Sequence, residues 1–243
     1  MTEESVETLY LLGKEELIVG VSSFVQRPVA AKELPTISGF THANIKKIQA
    51  LEPDLILGFS DIQKDIAKDL IGLGFNVFIT NQRSIAEILD YILMLGRLVN
   101  AQKEAQELVQ KYQHKIDQIK KVANGPKIYL EEWDEPLITG IKWFSELFEM
   151  CGFINIFQNQ SSESLAKNRF VNHEQIIERN PDYIFACWCG KKVSIDSIKN
   201  RSGYQHINAV KNNKIFELDP AIFLQPGPAL FEAGLDLVES YLD

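Results

Sequence analysis

The sequence predicts an α/β protein of two Rossmann-like lobes, each built on a parallel sheet, joined by one long helix. Three observations carry this reading. Short apolar, β-branched runs alternate with helical periodicity in the first and last thirds. A Pro-free stretch with apolar residues at helical spacing lies between them. The length of 243 residues is enough for two small cores.

In the first third, residues 17–21 (Leu-Ile-Val-Gly-Val) read as a strand. Residues 44–51 read as a short helix, with Ile45 and Ile48 on one face. Residues 54–59 read as a buried strand entered through Pro53, followed by a helix over about 61–72. A strand at 75–80 follows a Gly-Leu-Gly break. Strands that are continuously apolar and separated by helices belong to parallel, helix-covered sheets. The middle opens on Ser84 and Glu87, a capping box. From there to about Val122 the apolar residues Ile85, Ile88, Leu89, Ile92, Leu95, Val99, Leu108, Val109, Tyr112, Ile116 and Ile119 recur at helical spacing. A helix of that length would run on the order of 55 Å, too long for one small lobe. The stripe thins over 100–107, which disfavours a coiled-coil seam. Residues 84–122 therefore read as a rigid connector between lobes at 1–82 and 126–243, ended by Asn124-Gly125-Pro126. The last third resumes the pattern, with strands at 127–131, 183–187 and 214–218. Its helices read at about 143–151, 173–179 and 228–242.

Hydrophobic residues make up 45% of the chain and charged residues 24%, an ordinary globular balance. The net charge of −8 argues against nucleic acid as a partner, because that affinity rests on clustered cations. No apolar run approaches the roughly 20 residues of a membrane-spanning helix. The three cysteines, Cys151, Cys187 and Cys189, do not form a disulfide framework. The opening Met-Thr-Glu-Glu shows no signal peptide.

Catalytic signatures are scarce: there is no phosphate loop, no Gly-x-Ser-x-Gly elbow and no His-Glu-x-x-His. The four histidines are dispersed. Three loops stand out instead. Residues 131–143 leave a strand at its carboxyl end, where ligands of parallel α/β sheets bind. Glu131, Glu132, Asp134 and Glu135 crowd around Trp133, and Trp143 follows. An aromatic wall with a few polar groups is how small-molecule pockets are built; a solvated acidic loop is the plainer alternative. Cys187-Trp188-Cys189-Gly190-Lys191-Lys192 also leaves a strand. Two thiols without a companion pair do not define a zinc or iron–sulfur site, and no metal ligand set is assigned. Trp188 would face the same cleft as Trp133, and the lysines would meet an anionic substituent on a ligand. In Phe223-Leu224-Gln225-Pro226-Gly227-Pro228, Pro228 suits the first position of a helix and Gln225 would face the cleft. A simple turn is the alternative there.

Several segments resemble the helical-backbone metal-receptor superfamily, the substrate-binding proteins of vitamin B12, haem and iron–siderophore ABC importers. They are Thr8-Leu9-Tyr10-Leu11-Leu12-Gly13, Ile18-Val19-Gly20-Val21-Ser22, the stretch from Ile45 to Leu57, the long helix, and Asn180-Pro181-Asp182-Tyr183-Ile184. The loops around Trp133 and Trp188 are similar to a subgroup labelled cobalamin-binding. The resemblance implies a class III substrate-binding fold with little hinge motion and a shallow cleft between the lobes. By matching position, Phe59 and the Trp133–Thr139 loop would line that cleft, with residues near Arg169. With these go Phe40, Asp134, Glu135, Trp143, Trp188 and Gln225. The ligand implied is cobalamin, a related corrinoid or another metal chelate, with no covalently bound cofactor. Glu174 matches a receptor acid that docks on a transporter permease, and Asp61 or Asp65 would be its counterpart in the other lobe. His42 is the candidate axial ligand, against a plainer role at a helix start.

Family members begin with an apolar strand ahead of the segment at which this chain starts. The first strand therefore reads as missing, with its neighbour's edge exposed and self-association or partial destabilisation expected. The compartment stays open: cytoplasmic as the chain stands, periplasmic by resemblance. Two other readings remain: an iron–siderophore or haem receptor of the same fold, and an enzyme using the Glu131–Glu135 carboxylates. The leading expectation is a binding protein and no enzyme.

Overall fold

The computed structural model describes residues 1–120 and 122–242. The chain divides into two compact units. Unit 1 holds residues 1–82, 86–113 and 225–229; unit 2 holds 83–85, 114–224 and 230 onward.

Unit 1 contains α1 (Glu3–Leu11), β1 (Val21–Ser22), β2 (Thr36–Ser38), α2 (Ile45–Leu51), β3 (Ile56–Phe59), α3 (Lys64–Gly72) and β4 (Val77–Thr80). It also takes most of α4 (Ile85–Leu98) and the start of α5 (Gln102–Asp117). β1 pairs in parallel with β2, and β3 in parallel with β4 from Ile56–Val77 to Phe59–Thr80. The two pairs are separate sheets. Local chemistry sets the helix ends. The Asn44 side chain accepts the Lys47 N–H at the start of α2, and Glu52 closes that helix in the left-handed region at φ 46°. Ile37, Ile48, Ile56, Ile66 and Leu70 form one buried cluster. Side chains of this size gain roughly 1.5–3 kcal/mol each on full burial.

The stripe read from the sequence in α4 is the buried one, since Ile85, Ile88, Leu89, Ile92 and Leu95 are all in the core. The expected single connector is corrected: two helices stand where one was predicted, interrupted between Leu98 and Gln102. Asn100 adopts φ 55° there, a conformation that asparagine tolerates and that ends a helix. Gly96 makes the turn sterically possible. A Cβ at Gly96 would lie 2.4 Å from the Ala105 Cβ and 2.9 Å from the Ala101 carbonyl oxygen. α5 ends at Asp117, short of Val122, and residue 121 of the predicted helix lies outside the described residues.

Unit 2 contains β5 (Lys127–Asp134), β6 (Leu137–Thr139), α6 (Lys142–Met150), β7 (Ile154–Asn155), α7 (Gln158–Ser161), α8 (His173–Arg179) and β8 (Tyr183–Ala186). There follow α9 (Ile195–Lys199), α10 (Asn208–Lys211), β9 (Ile215–Glu217), α11 (Pro220–Phe223) and α12 (Leu235–Glu239), the last entered through a π-helical turn at Leu230–Gly234. The sheet runs β6-β5-β8-β9, with β7 also on β5. All pairings are parallel except the β5–β6 hairpin. Every residue of β8 is buried, as a central parallel strand covered on both faces requires. One side is packed by Tyr129, Phe157, Ile176, Ile184 and Tyr204, the other by an aromatic group around Phe144, Phe148, Phe185 and Phe223.

Candidate functional site

β5 places the acidic loop. Successive side chains of a strand point to opposite faces, and the two neighbouring glutamates use both. Glu131 is fully buried and takes the Arg201 guanidinium as a fork, Nη1 to Oε2 at 2.5 Å and Nη2 to Oε1 at 2.9 Å. The Trp188 indole N–H donates to the same carboxylate at 3.1 Å. Glu132 receives a second fork from Arg169, at 2.6 and 2.8 Å, and also accepts the Ile141 N–H at 3.0 Å. Arg169 Nη1 donates in addition to the Thr139 carbonyl at 2.5 Å. Two guanidinium clamps therefore hold the base of the 131–141 loop. Bidentate pairs of this kind fix geometry as well as charge. Burial pushes the Glu131 carboxyl above the ordinary range, while Arg201 pulls it back.

Trp133 rides on this frame. It is half-buried against the unit 2 core, and its indole N–H donates to the Glu135 carbonyl at 2.9 Å. Lys191 Nζ lies 4.4 Å from the centre of its ring and 4.8 Å from that of Trp188, and bonds Asp134 at 2.5 Å. A lysine over two indole faces is held by the ring quadrupoles as well as by the carboxylate. The Cys187-to-Lys192 loop meets the Trp133 loop, but Lys191 is engaged by Asp134, whereas the sequence reading places it against an anionic substituent of a ligand. Trp188, expected to face a cleft, is 3% exposed and belongs to the core, which leaves Trp133 as the partly exposed tryptophan of the pair.

The other predicted residues separate by burial. Trp143 is buried, its indole N–H donating to the Phe223 carbonyl at 3.0 Å, where it ties α6 to α11. Arg169, 2% exposed, acts as a clamp and offers no ligand-facing surface. Glu135 is exposed. In unit 1, Phe40 is 37% exposed and its ring stacks on Phe24 with centroids 4.1 Å apart. Phe59 ends β3, half-buried, with its N–H on the Gln63 side chain at 3.0 Å. Gln225 is buried in the short segment that unit 1 borrows from the chain's end. The exposed His42 ring lies against Gly39, where a Cβ would come within 2.5 Å of it. Asp61 and Asp65 are exposed at the start of a 3₁₀ turn and of α3, and Glu174 is exposed in the first turn of α8. Sequence reasoning missed Arg201 and Phe24. Arg201 stands 70 residues from its partner with no motif around it, whereas an aromatic in a loop next to Val21-Ser22 was a usable signal for Phe24.

The clustered carboxylates are committed to structure: Glu131 to Arg201, Glu132 to Arg169 and Asp134 to Lys191. Among the described residues no group of three or more His, Cys, Asp or Glu side chains converges for a metal ion. What remains at this end of the parallel sheet is an aromatic surface whose neighbouring acids Glu131, Glu132 and Asp134 are paired. The chain belongs to the periplasmic binding protein family, whose model matches residues 1–222. It is a substrate-binding protein of the ABC-transporter type, a class that delivers small-molecule ligands to such transporters. It is 27% identical to an uncharacterized ABC transporter substrate-binding lipoprotein, YvrC, of Bacillus subtilis, over 97% of this chain and 76% of that one. The solved structure of the periplasmic vitamin B12-binding protein BtuF of Vibrio cholerae is similar at 28% identity and a TM-score of 0.78, covering 100% of this chain and 94% of that one. A "possible" iron-binding, periplasmic solute-binding protein from Staphylococcus epidermidis matches at 28% identity and a TM-score of 0.81, over 99% and 96% of the two chains. These likenesses bear out the α/β class III fold. Among the described residues no helix is long and apolar enough to cross a membrane.

Proposed function

We propose that this protein binds a corrinoid, a vitamin B12-like ligand, and hands it to an ABC importer. The observation that carries the reading is the clamped, partly exposed Trp133, bordered by Asp134 and Glu135 and with Lys191 over its ring. The full-length likeness to the vitamin B12-binding protein of Vibrio cholerae supports it. A corrin has a broad, largely apolar face with amide substituents, which suits an indole face bordered by a few polar groups. Phe40 and Phe59 are the aromatic contacts proposed for unit 1, with Gln225 as a polar one. Arg169, Trp143 and Trp188 then act as positioning residues.

The test is a titration with cyanocobalamin, cobinamide, haemin and a ferric hydroxamate, following tryptophan quenching and the ligand's visible band. Corrinoids bind saturably at micromolar concentration or tighter. Trp133→Ala weakens them about tenfold, the loss of roughly 1.4 kcal/mol of stacking. Failure of both corrinoids to bind overturns the assignment. Binding of the ferric hydroxamate or haemin alone establishes the second reading, which the likeness to the Staphylococcus epidermidis protein favours.

For the handover, Glu174 and one of Asp61 or Asp65 are the proposed docking acids. Glu174→Lys should abolish stimulation of the cognate transporter's ATPase while ligand affinity stays unchanged. Stimulation at the wild-type level would remove Glu174 from that role.

A further inference from the structure

The outer edge of β4 is open. The Ile56 N–H donates to the Asn76 carbonyl at 2.9 Å and the Ser60 N–H to the Thr80 carbonyl at 2.6 Å. Residues 76, 78 and 80 therefore turn their backbone groups to β3, and Val77 and Ile79 turn theirs to the opposite side. Among the described residues no strand pairs with β4 on that side. The strand reads Val-Phe-Ile-Thr, with no proline, charge or bulge of the kind that blunts a free edge. Beside it lies a groove of about 540 Å³, lined by residues 78–82 and by α4. Every lining residue belongs to unit 1, and none is among those proposed for the corrinoid or for transporter docking.

Two features say what the groove would take. The first is Gln82, just past the carboxyl end of β4. It is only 4% exposed, and among the described residues neither the nitrogen nor the oxygen of its side-chain amide has a hydrogen-bond partner. A buried amide of this kind needs one acceptor and one donor side by side, which a peptide unit presents. The second is charge. Asp90 and Arg97 line the groove, exposed, and neither makes an ion pair among the described residues. Seven residues apart, they share one face of α4 about 10 Å apart along its axis, with the half-buried Leu93 and Met94 between them in the helix. Only Arg83 and Ser84 separate Gln82 from α4, so the helix runs back along the strand and Asp90 lies nearer the Gln82 end.

We propose that this groove binds an extended peptide segment of a partner, which adds as a strand to β4 and bonds the Ile79 backbone and the Gln82 amide. The segment carries a basic residue facing Asp90 and an acidic one facing Arg97, with an apolar residue between them over Leu93 and Met94. Alternate side chains of a strand share a face, so these three stand two residues apart. Their backbone span of about 13 Å lies close enough to the spacing of the two charges for long side chains to close the difference. Main-chain bonds along the open edge supply affinity, and the charges and apolar wall supply selectivity.

The probe is the blocked pentapeptide acetyl-Lys-Thr-Val-Thr-Glu-amide, titrated into the isotope-labelled protein and followed by NMR. Half-saturation is expected at about 1 mM or below, with shifts at the Val77 and Ile79 amides and none at the Trp133 indole. At ten times that concentration the Ile79 amide should exchange about tenfold more slowly. The same peptide N-methylated at its three central residues keeps its side chains, loses backbone donors and should not bind. Gln82→Met should weaken binding about tenfold while the unfolding temperature stays the same or rises, because the free protein gives that amide no partner to lose. Asp90→Lys should weaken it about fivefold. Half-saturation not reached by about 1 mM, equal binding of the N-methylated peptide, or unchanged affinity in either variant would overturn the proposal. So would shifts centred on Trp133, which would place the peptide in unit 2.

Discussion

Arg201→Ala is the most informative single change in unit 2, because its partner cannot escape to water. Glu131 is completely buried, and Arg201 supplies two of the hydrogen bonds to its carboxylate, at 2.5 and 2.9 Å. Removing the guanidinium leaves one charge-assisted bond, from Trp188, and a carboxylate enclosed by the core. Breaking a buried pair from one side costs about 3–5 kcal/mol. The cost should depend on pH, and the direction is fixed. Burial already raises the Glu131 pKa, and losing Arg201 raises it further. The native variant then holds a proton that the unfolded chain releases, so its stability is fully present below about 4.5 and falls as pH rises. Urea unfolding followed by tryptophan fluorescence reports this unit alone, since Trp133, Trp143 and Trp188 all lie in it. With m of about 1–3 kcal/mol/M, the midpoint at pH 8 should drop by 1 M or more, and by less at pH 5. Replacing both partners, Glu131→Leu with Arg201→Met, should recover most of the loss. A loss under about 1 kcal/mol, or one equal at pH 5 and pH 8, would refute the reasoning.

Two further perturbations follow from the packing. Gly152 sits at φ 97° with the Val122 carbonyl oxygen 2.6 Å from where a Cβ would stand, so Gly152→Ala should cost about 2 kcal/mol or more in thermal unfolding. Burial raises the Glu4 carboxyl to about 8, so the stability it contributes is complete below about pH 4.5 and lost as pH climbs toward 8. The Met1 amine, lowered to about 6, acts in the opposite sense above pH 6, where the unfolded chain binds the proton the native state lacks. The Glu4 effect therefore appears unopposed by that amine between pH 4.5 and 6, and calorimetry should find a slope there that Glu4→Gln reduces by up to about 1.4 kcal/mol per pH unit.

Much of the fold was legible because it is written in local patterns. The apolar stripe Ile85, Ile88, Leu89, Ile92 and Leu95 needs only the helical repeat to be seen, and it is buried as read. The helix at 173–179 was bounded correctly because its limits are local. Asn172 and Gln175 cap one end reciprocally, and Asn180 turns left-handed at the other. The position of Trp133 at the carboxyl end of a parallel strand followed from the same kind of reading.

Other features depended on which residues meet across the chain. Whether α4 continued or turned was decided by the fit of Ala101 and Ala105 against Gly96, a contact no periodicity encodes. The short β2, β6 and β7 carry too few residues to show alternation, and exist because a neighbouring strand offers them partners. The sequence by itself determined the α/β class, the two-part division of the strands and the acidic, aromatic character of the loop. It took the tertiary structure to show that Glu131 and Glu132 belong to Arg201 and Arg169, and that Trp133 alone of three tryptophans is left partly exposed. The physical reason is that burial and charge pairing are properties of distance in space, and these partners lie 70 and 37 residues apart along the chain.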